Sequence, residues 1–143
     1  MYKRQGYHDG KMASISSIPL EHQIDNWIGS KAVEFINSYP DDKPFFLWVG
    51  FAGPHDPYNP PREIADKSKD LVVPESIPAT DESNAFRDSF IKFHLEGSAQ
   101  TDFSEFTKEA KDKIRRHYAG LINIIDQQAV SYTHLTLPTK RIV

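Results

Sequence analysis

Residues 44–61 read PFFLWVGFAGPHDPYNPP, and the expected fold is built outward from them. Phe45, Phe46, Leu47, Trp48, Val49 and Phe51 make a short apolar run without polar alternation. The run is too short for a core helix and rich in aromatics, so it predicts a strand buried on both faces. Gly53 and Pro54 stop that strand, and Pro57, Pro60 and Pro61 hold the next segment extended and poor in backbone donors. His55, Asp56 and Tyr58 therefore fall on a stiff loop at the strand's carboxyl end, where ligands bind in open α/β sheets.

On both sides the pattern turns helical. Leu20, Ile24, Trp27, Ile28, Ala32, Phe35 and Ile36 recur at three- and four-residue steps, with Glu21, Asp25, Lys31 and Glu34 elsewhere. This predicts an amphipathic helix lying against a sheet, capped by Ser17 and ended by Tyr39 and Pro40. Beyond the proline loop, residues 62–80 read as an irregular excursion with a short helix at 62–66, and residues 81–96 as a helix that Gly97 terminates. An insertion of this length at the edge of a sheet shapes a substrate cleft in α/β enzymes. The second strong helix signal is 101–128, with Phe106, Ala110, Ile114, Tyr118, Leu121, Ile122 and Ile125 as its apolar stripe.

At 143 residues the chain is long enough for one domain with a modest core. No apolar run approaches the length that crosses a bilayer, so no membrane span is expected. The absence of cysteine excludes a disulfide framework and thiolate metal sites, and leaves the compartment open. The net charge is −3 and the Lys and Arg residues are dispersed, so there is no electrostatic footprint for nucleic acid.

The aromatic run leading into Pro54-His55-Asp56-Pro57-Tyr58 resembles the mid-domain strand and loop of the sulfatase family, within the alkaline-phosphatase-like superfamily. HYAGLINIIDQQ, residues 117–128, resembles the sulfatase helix that precedes a strand of metal-binding Asp and Asn residues, with a one-residue difference at Tyr118-Ala119. The resemblance implies an α/β fold, a fragment of an alkaline-phosphatase-like sulfatase domain in which a buried strand is flanked by amphipathic helices. It implies hydrolysis of the sulfate ester of a small molecule or carbohydrate, with His55 contacting the sulfate group and Asp56 and Tyr58 lining the cleft. From the motif alone, His55 serves equally well as a donor that orders the loop.

Sulfatases also use a formylglycine made from Cys or Ser in a Cys/Ser-x-Pro-x-Arg context, and a Ca²⁺ held by carboxylates and an amide. The cation neutralises sulfate oxygens while fixed donors stabilise the charge that develops as the S–O bond breaks. No serine here is followed by Pro and Arg at that spacing, and no Asp-Asn pair follows the second helix. The expectation is a chain without metal ligands that is inactive alone, with Ca²⁺ belonging to the full-length enzyme. Family members are often exported, which leaves the location of this one unknown.

Other polar groups carry weaker signals. His8 with Asp9, and His22 with Asp25 at i and i+3, have metal-like spacing, but each lacks a third partner and reads as surface. Gly10-Lys11 resembles the start of a Gly-Lys-x-His element, but Ala13 stands where the histidine belongs. His94 reads as packing or capping. Arg115 and Arg116 sit among Glu105, Glu109 and Asp112, so a solvated face outweighs a role toward an anionic substrate.

The two ends read differently from the middle. MYKRQ, residues 1–5, and VSYTHLTLPT from residue 130 resemble in-frame translations of transposon-end and adaptor DNA from sequencing libraries. Residues 1–5 and 130–143 are therefore expected to be foreign, and residues 6–129 a partial sulfatase catalytic domain. Removing the four cations Lys3, Arg4, Lys140 and Arg141 from a net −3 leaves an acidic interior at −7. Two alternatives stand beside this reading. One is a phosphodiester or phosphonate monoester hydrolase on the same scaffold; the other is a non-catalytic acidic α/β interaction domain.

Overall fold

A computed structural model of the chain describes residues 12–40, 43–75, 77, 80, 87–90, 92–93 and 106–136. Helix α1 spans Ile24–Ser38, α2 spans Arg62–Ser68 and α3 spans Lys108–Thr136; α1 and α2 both pack on α3. A single 3-10 turn, Leu20–His22, precedes α1.

Among the described residues there is no strand or sheet, and this corrects the expected α/β fold with its doubly buried strand. Residues 44–52 run without regular structure, and Phe46 and Trp48 are 89% and 82% exposed. Phe45 alone finds ring partners, edge-on to Phe35 at 5.4 Å and tilted on Tyr39 at 4.7 Å. The physical reason lies in the backbone. An apolar run becomes a buried strand only where neighbouring chains pair its N–H and C=O groups and cover both faces. The extended pairing that does occur lies just beyond: Ser14 N donates to Tyr58 O at 3.2 Å, Ser16 N to Pro60 O at 3.0 Å, and Tyr58 N to Met12 O at 2.8 Å. These are two isolated parallel bridges, Ala13 with Tyr58 and Ser16 with Pro61.

The helices form close to where periodicity puts them, with altered caps and faces. Helix α1 starts four residues later than Leu20 of the expected stripe and Ser17 does not cap it; Gln23 occupies the cap position, its amide donating to Ile18 O at 2.7 Å and Ser16 Oγ at 3.0 Å. Its buried residues are Asp25, Gly29 and Ala32, while Trp27 of the expected stripe is 56% exposed. Close approach to α3 selects this face. A Cβ on Gly29 would lie 2.5 Å from Cβ of Gln128, so only glycine lets the two helices meet there. Gln128 Nε2 then donates to Asn26 Oδ1 at 2.8 Å across the interface.

Thr107 caps α3, its hydroxyl accepting from Ala110 N at 3.2 Å. The buried side of α3 is His117, Gly120, Leu121 and Ile124, with Tyr118 and Ile122 of the expected stripe turned partly to solvent. Ile64 of α2 meets Leu121 and Ile124 to form the core cluster, with Leu20 and Tyr58 packed against it. Ile64 and Ile124 are each 1% exposed, and burial of one such side chain stabilises by about 1.5–3 kcal/mol. The short helix expected at 62–66 is α2. Within the expected helix at 81–96, residues 87–90 and 92–93 are helical and the others lie outside the described residues. The helical path of α3 continues through the foreign-looking residues 130–136; residues 1–5 lie outside the described residues.

Candidate functional site

The proline loop is held at both ends and open in the middle. At its start the carboxylate of Asp25 accepts from Ala52 N at 2.8 Å and from Gly53 N at 3.0 Å, both to Oδ1. Asp25 is only 5% exposed, so these two backbone donors satisfy a charge that would otherwise be costly to bury. Gly53 is required here: a Cβ would stand 2.5 Å from Asp25 Oδ2 and 3.3 Å from Ile125 Cδ1. At the far end, His117 Nδ1 donates to Tyr58 O at 2.9 Å, the same carbonyl that Ser14 N reaches. His117 is buried on α3. Burial holds its imidazole below the ordinary histidine range, opposed by its bonds to the Tyr58 and Ser14 backbone and reinforced by Lys113.

Between these anchors stands His55, its side chain 80% exposed. Its Nδ1 lies 2.7 Å from Asp56 O and 2.9 Å from Asp56 Oδ1. With Nδ1 donating to Asp56, Nε2 is the ring nitrogen not engaged by that contact. The Gly53-Pro54 and Asp56-Pro57 peptide bonds on either side are both cis. The Tyr58 ring packs edge-on to Tyr118 of α3 at 5.9 Å. Burial first, then the charges of Asp56 and Tyr118, push the Tyr58 phenol above its usual range, so it remains a neutral donor at physiological pH.

The structure thus joins His55 and Asp56, while Tyr58 packs on Tyr118 and the core cluster. His22 and Asp25 do not form a pair: His22 is exposed, and Asp25 is committed to the loop backbone. Arg115 and Arg116 hold the segment that follows α2, donating to Pro74 O at 2.9 Å and Leu71 O at 3.1 Å. His8, Asp9, Gly10, Lys11 and His94 lie outside the described residues. Among the described residues, no three His, Asp or Glu side chains gather as a metal would need, so these residues do not fit a Ca²⁺ site.

Asp25 and His117 are the loop-anchoring side chains that periodicity missed. Both are polar residues on helix faces that turn inward, and the signal for His117 was its place one turn before Leu121. Asp25 left no such sign, because its partners lie 27 and 28 residues away.

No protein-family model matches the chain. It is 29% identical over 109 residues to an arylsulfatase of Clostridium perfringens (strain 13 / Type A), a match that covers 72% of this chain. The chain spans about a fifth of the length of that relative, 20%. Among the described residues no helix is long and apolar enough to cross a membrane. The chain is thus a distant relative of a sulfatase.

Proposed function

We propose that residues 6–129 are part of a sulfuric ester hydrolase that acts on a sulfated small molecule or carbohydrate, and that the His55 loop is the part of its sulfate-binding site carried here. The observation that supports this reading is the loop itself. A histidine is presented outward on a short segment whose backbone is tied to α1 by Asp25 and to α3 by His117. Such anchoring keeps an exposed side chain in place without burying it, which a group that meets an anionic substrate requires. Asp56 orients the His55 ring through Nδ1, and a ring protonated on both nitrogens donates from Nε2 to a sulfate oxygen. The formylglycine nucleophile and the Ca²⁺ ligands belong, in this proposal, to the rest of the parent enzyme, and residues 1–5 and 130–143 to adjoining foreign sequence. This chain alone then turns over no sulfate ester.

The test is made in the full-length parent. His55→Ala lowers kcat on an aryl sulfate by about 10²–10⁴-fold, the range of a lost acid–base or charge-stabilising group, with the melting temperature nearly unchanged. A loss of stability in proportion to the loss of activity would assign His55 to loop ordering instead.

A further inference from the structure

The open run of residues 45–52 is fixed at both ends and unpaired along its length. Phe45 packs on Phe35 and Tyr39 at the end of α1, while Ala52 and Gly53 donate to Asp25 at its start, so the run lies along α1 in the opposite direction. Between these ties the burial alternates: Phe46, Trp48 and Gly50 are exposed, and Leu47, Val49 and Phe51 are half-buried. A period of two is that of an extended chain, although the run forms no strand with any described segment. Gly50 fits this period, since a Cβ there would stand 3.4 Å from Trp48 Nε1, which places the indole on the same side two residues earlier. Among the described residues nothing pairs with the backbone N–H and C=O groups of Phe46 to Phe51. An uncharged apolar edge of this kind is a template on which another chain adds a strand.

Charge decides which chain. Residues 44–52 hold no charged group in a chain of net charge −3, so two copies repel each other less here than across their charged surfaces. Lys43 stands just before the run and Asp56 just beyond it. Antiparallel pairing of two copies brings Lys43 of each toward Asp56 of the other, whereas parallel pairing sets like beside like. With Trp48 opposite Trp48, Phe46 of one copy falls opposite Gly50 of the other, over which an indole already lies, so that ring meets ring across the pair. We propose that residues 46–51 are an edge to which a second copy of this chain adds the same residues, antiparallel, about a two-fold axis at Trp48. The sulfatase reading makes no claim about assembly, and this dimer stands or falls apart from it.

The experiment is sedimentation velocity on the full 143-residue chain, over about a hundredfold range of concentration, paired with amide exchange. The mass rises from monomer to dimer, and exchange at residues 46–51 slows as it rises. Trp48→Lys and Phe46→Lys each weaken the association about tenfold or more. Val72→Lys makes the same change of charge at a side chain more exposed than either ring, and leaves the association as it was. All three side chains lie outside the core, and circular dichroism checks that each variant keeps its helix content. A chain that is monomeric throughout, with fast exchange at residues 46–51, would overturn the proposal. So would association that Val72→Lys weakens as much as Trp48→Lys does, the mark of general apolar contact, or association that leaves exchange at residues 46–51 unchanged. Slow exchange there in a monomer, whether of this chain or of a full-length parent, would also overturn it and give the edge to another segment of the same chain.

Discussion

Residues 44–52 and 53–61 are consecutive, yet they behave in opposite ways. The first half is the more apolar, and it lies open, with Phe46 and Trp48 mostly in solvent. The second half is rich in proline and polar groups, and it is the part that is tied down, by Asp25 at Gly53, by His117 and Ser14 at the Tyr58 carbonyl, and by Ser16 at Pro60. Pro60 is among the most deeply buried residues of the chain. Apolar composition supplies a driving force for burial, but the place of a segment is decided by which backbone donors and acceptors find partners. The anchored half found them on two helices and on residues 12–16.

The comparison breaks most visibly at the core beneath the anchored half. Ile124→Ala removes a side chain 1% exposed and packed on Ile64, so it should cost about 2–5 kcal/mol. Phe46→Ala, a larger truncation in the open half, should change stability by less than about 0.5 kcal/mol. Urea unfolding of the two variants checks both numbers, and equal losses would show that residues 44–52 are covered in solution.

Asp25→Ala is the next test, because it strips the partner from Ala52 N and Gly53 N while leaving the aromatic run intact. A loss of about 1–3 kcal/mol is expected, together with faster amide exchange confined to residues 52 and 53. Unchanged exchange there would mean that the loop holds its shape without the carboxylate.

The third test is pH. Burial lowers the His117 pKa in the folded chain, so below the ordinary histidine value the unfolded chain binds the extra proton more readily than the folded one. Stability therefore rises with pH through that window and is lost as pH falls toward and through the lowered folded pKa. His117→Gln should flatten this dependence in melts recorded across the acidic range. A variant that keeps the full dependence would assign it to another group.

The smallest effect sharpens the comparison from the other side. Trp48→Ser should leave the unfolding free energy within about 0.5 kcal/mol of the parent while reducing precipitation, since it removes a ring 82% exposed to water. Solubility against concentration measures the second effect directly.

Periodicity was enough to find α1 and α3, because a 3.6-residue repeat of apolar side chains is a local property of the chain, but α3 begins at Lys108 and runs on to Thr136, eight residues past the expected end. It misplaced the buried faces. Trp27 yielded to Gly29 because glycine permits contact with Gln128, and that contact lies about a hundred residues away in sequence. The loop was legible as well: prolines on either side of His55 announce a stiff, ladder-poor segment wherever they occur. The predicted strand failed for the opposite reason, since a strand is a relation between segments and residues 44–52 name only one of them.

The helices, the proline loop and the exposed histidine it carries follow from side-chain spacing and backbone chemistry within one short window. Contacts between distant segments set Asp25 and His117 as clamps on that loop, packed the Tyr58 ring on Tyr118, and left the aromatic run open. Each of those outcomes depends on hydrogen bonds and packing between residues distant along the chain, and no local pattern carries the position of a partner.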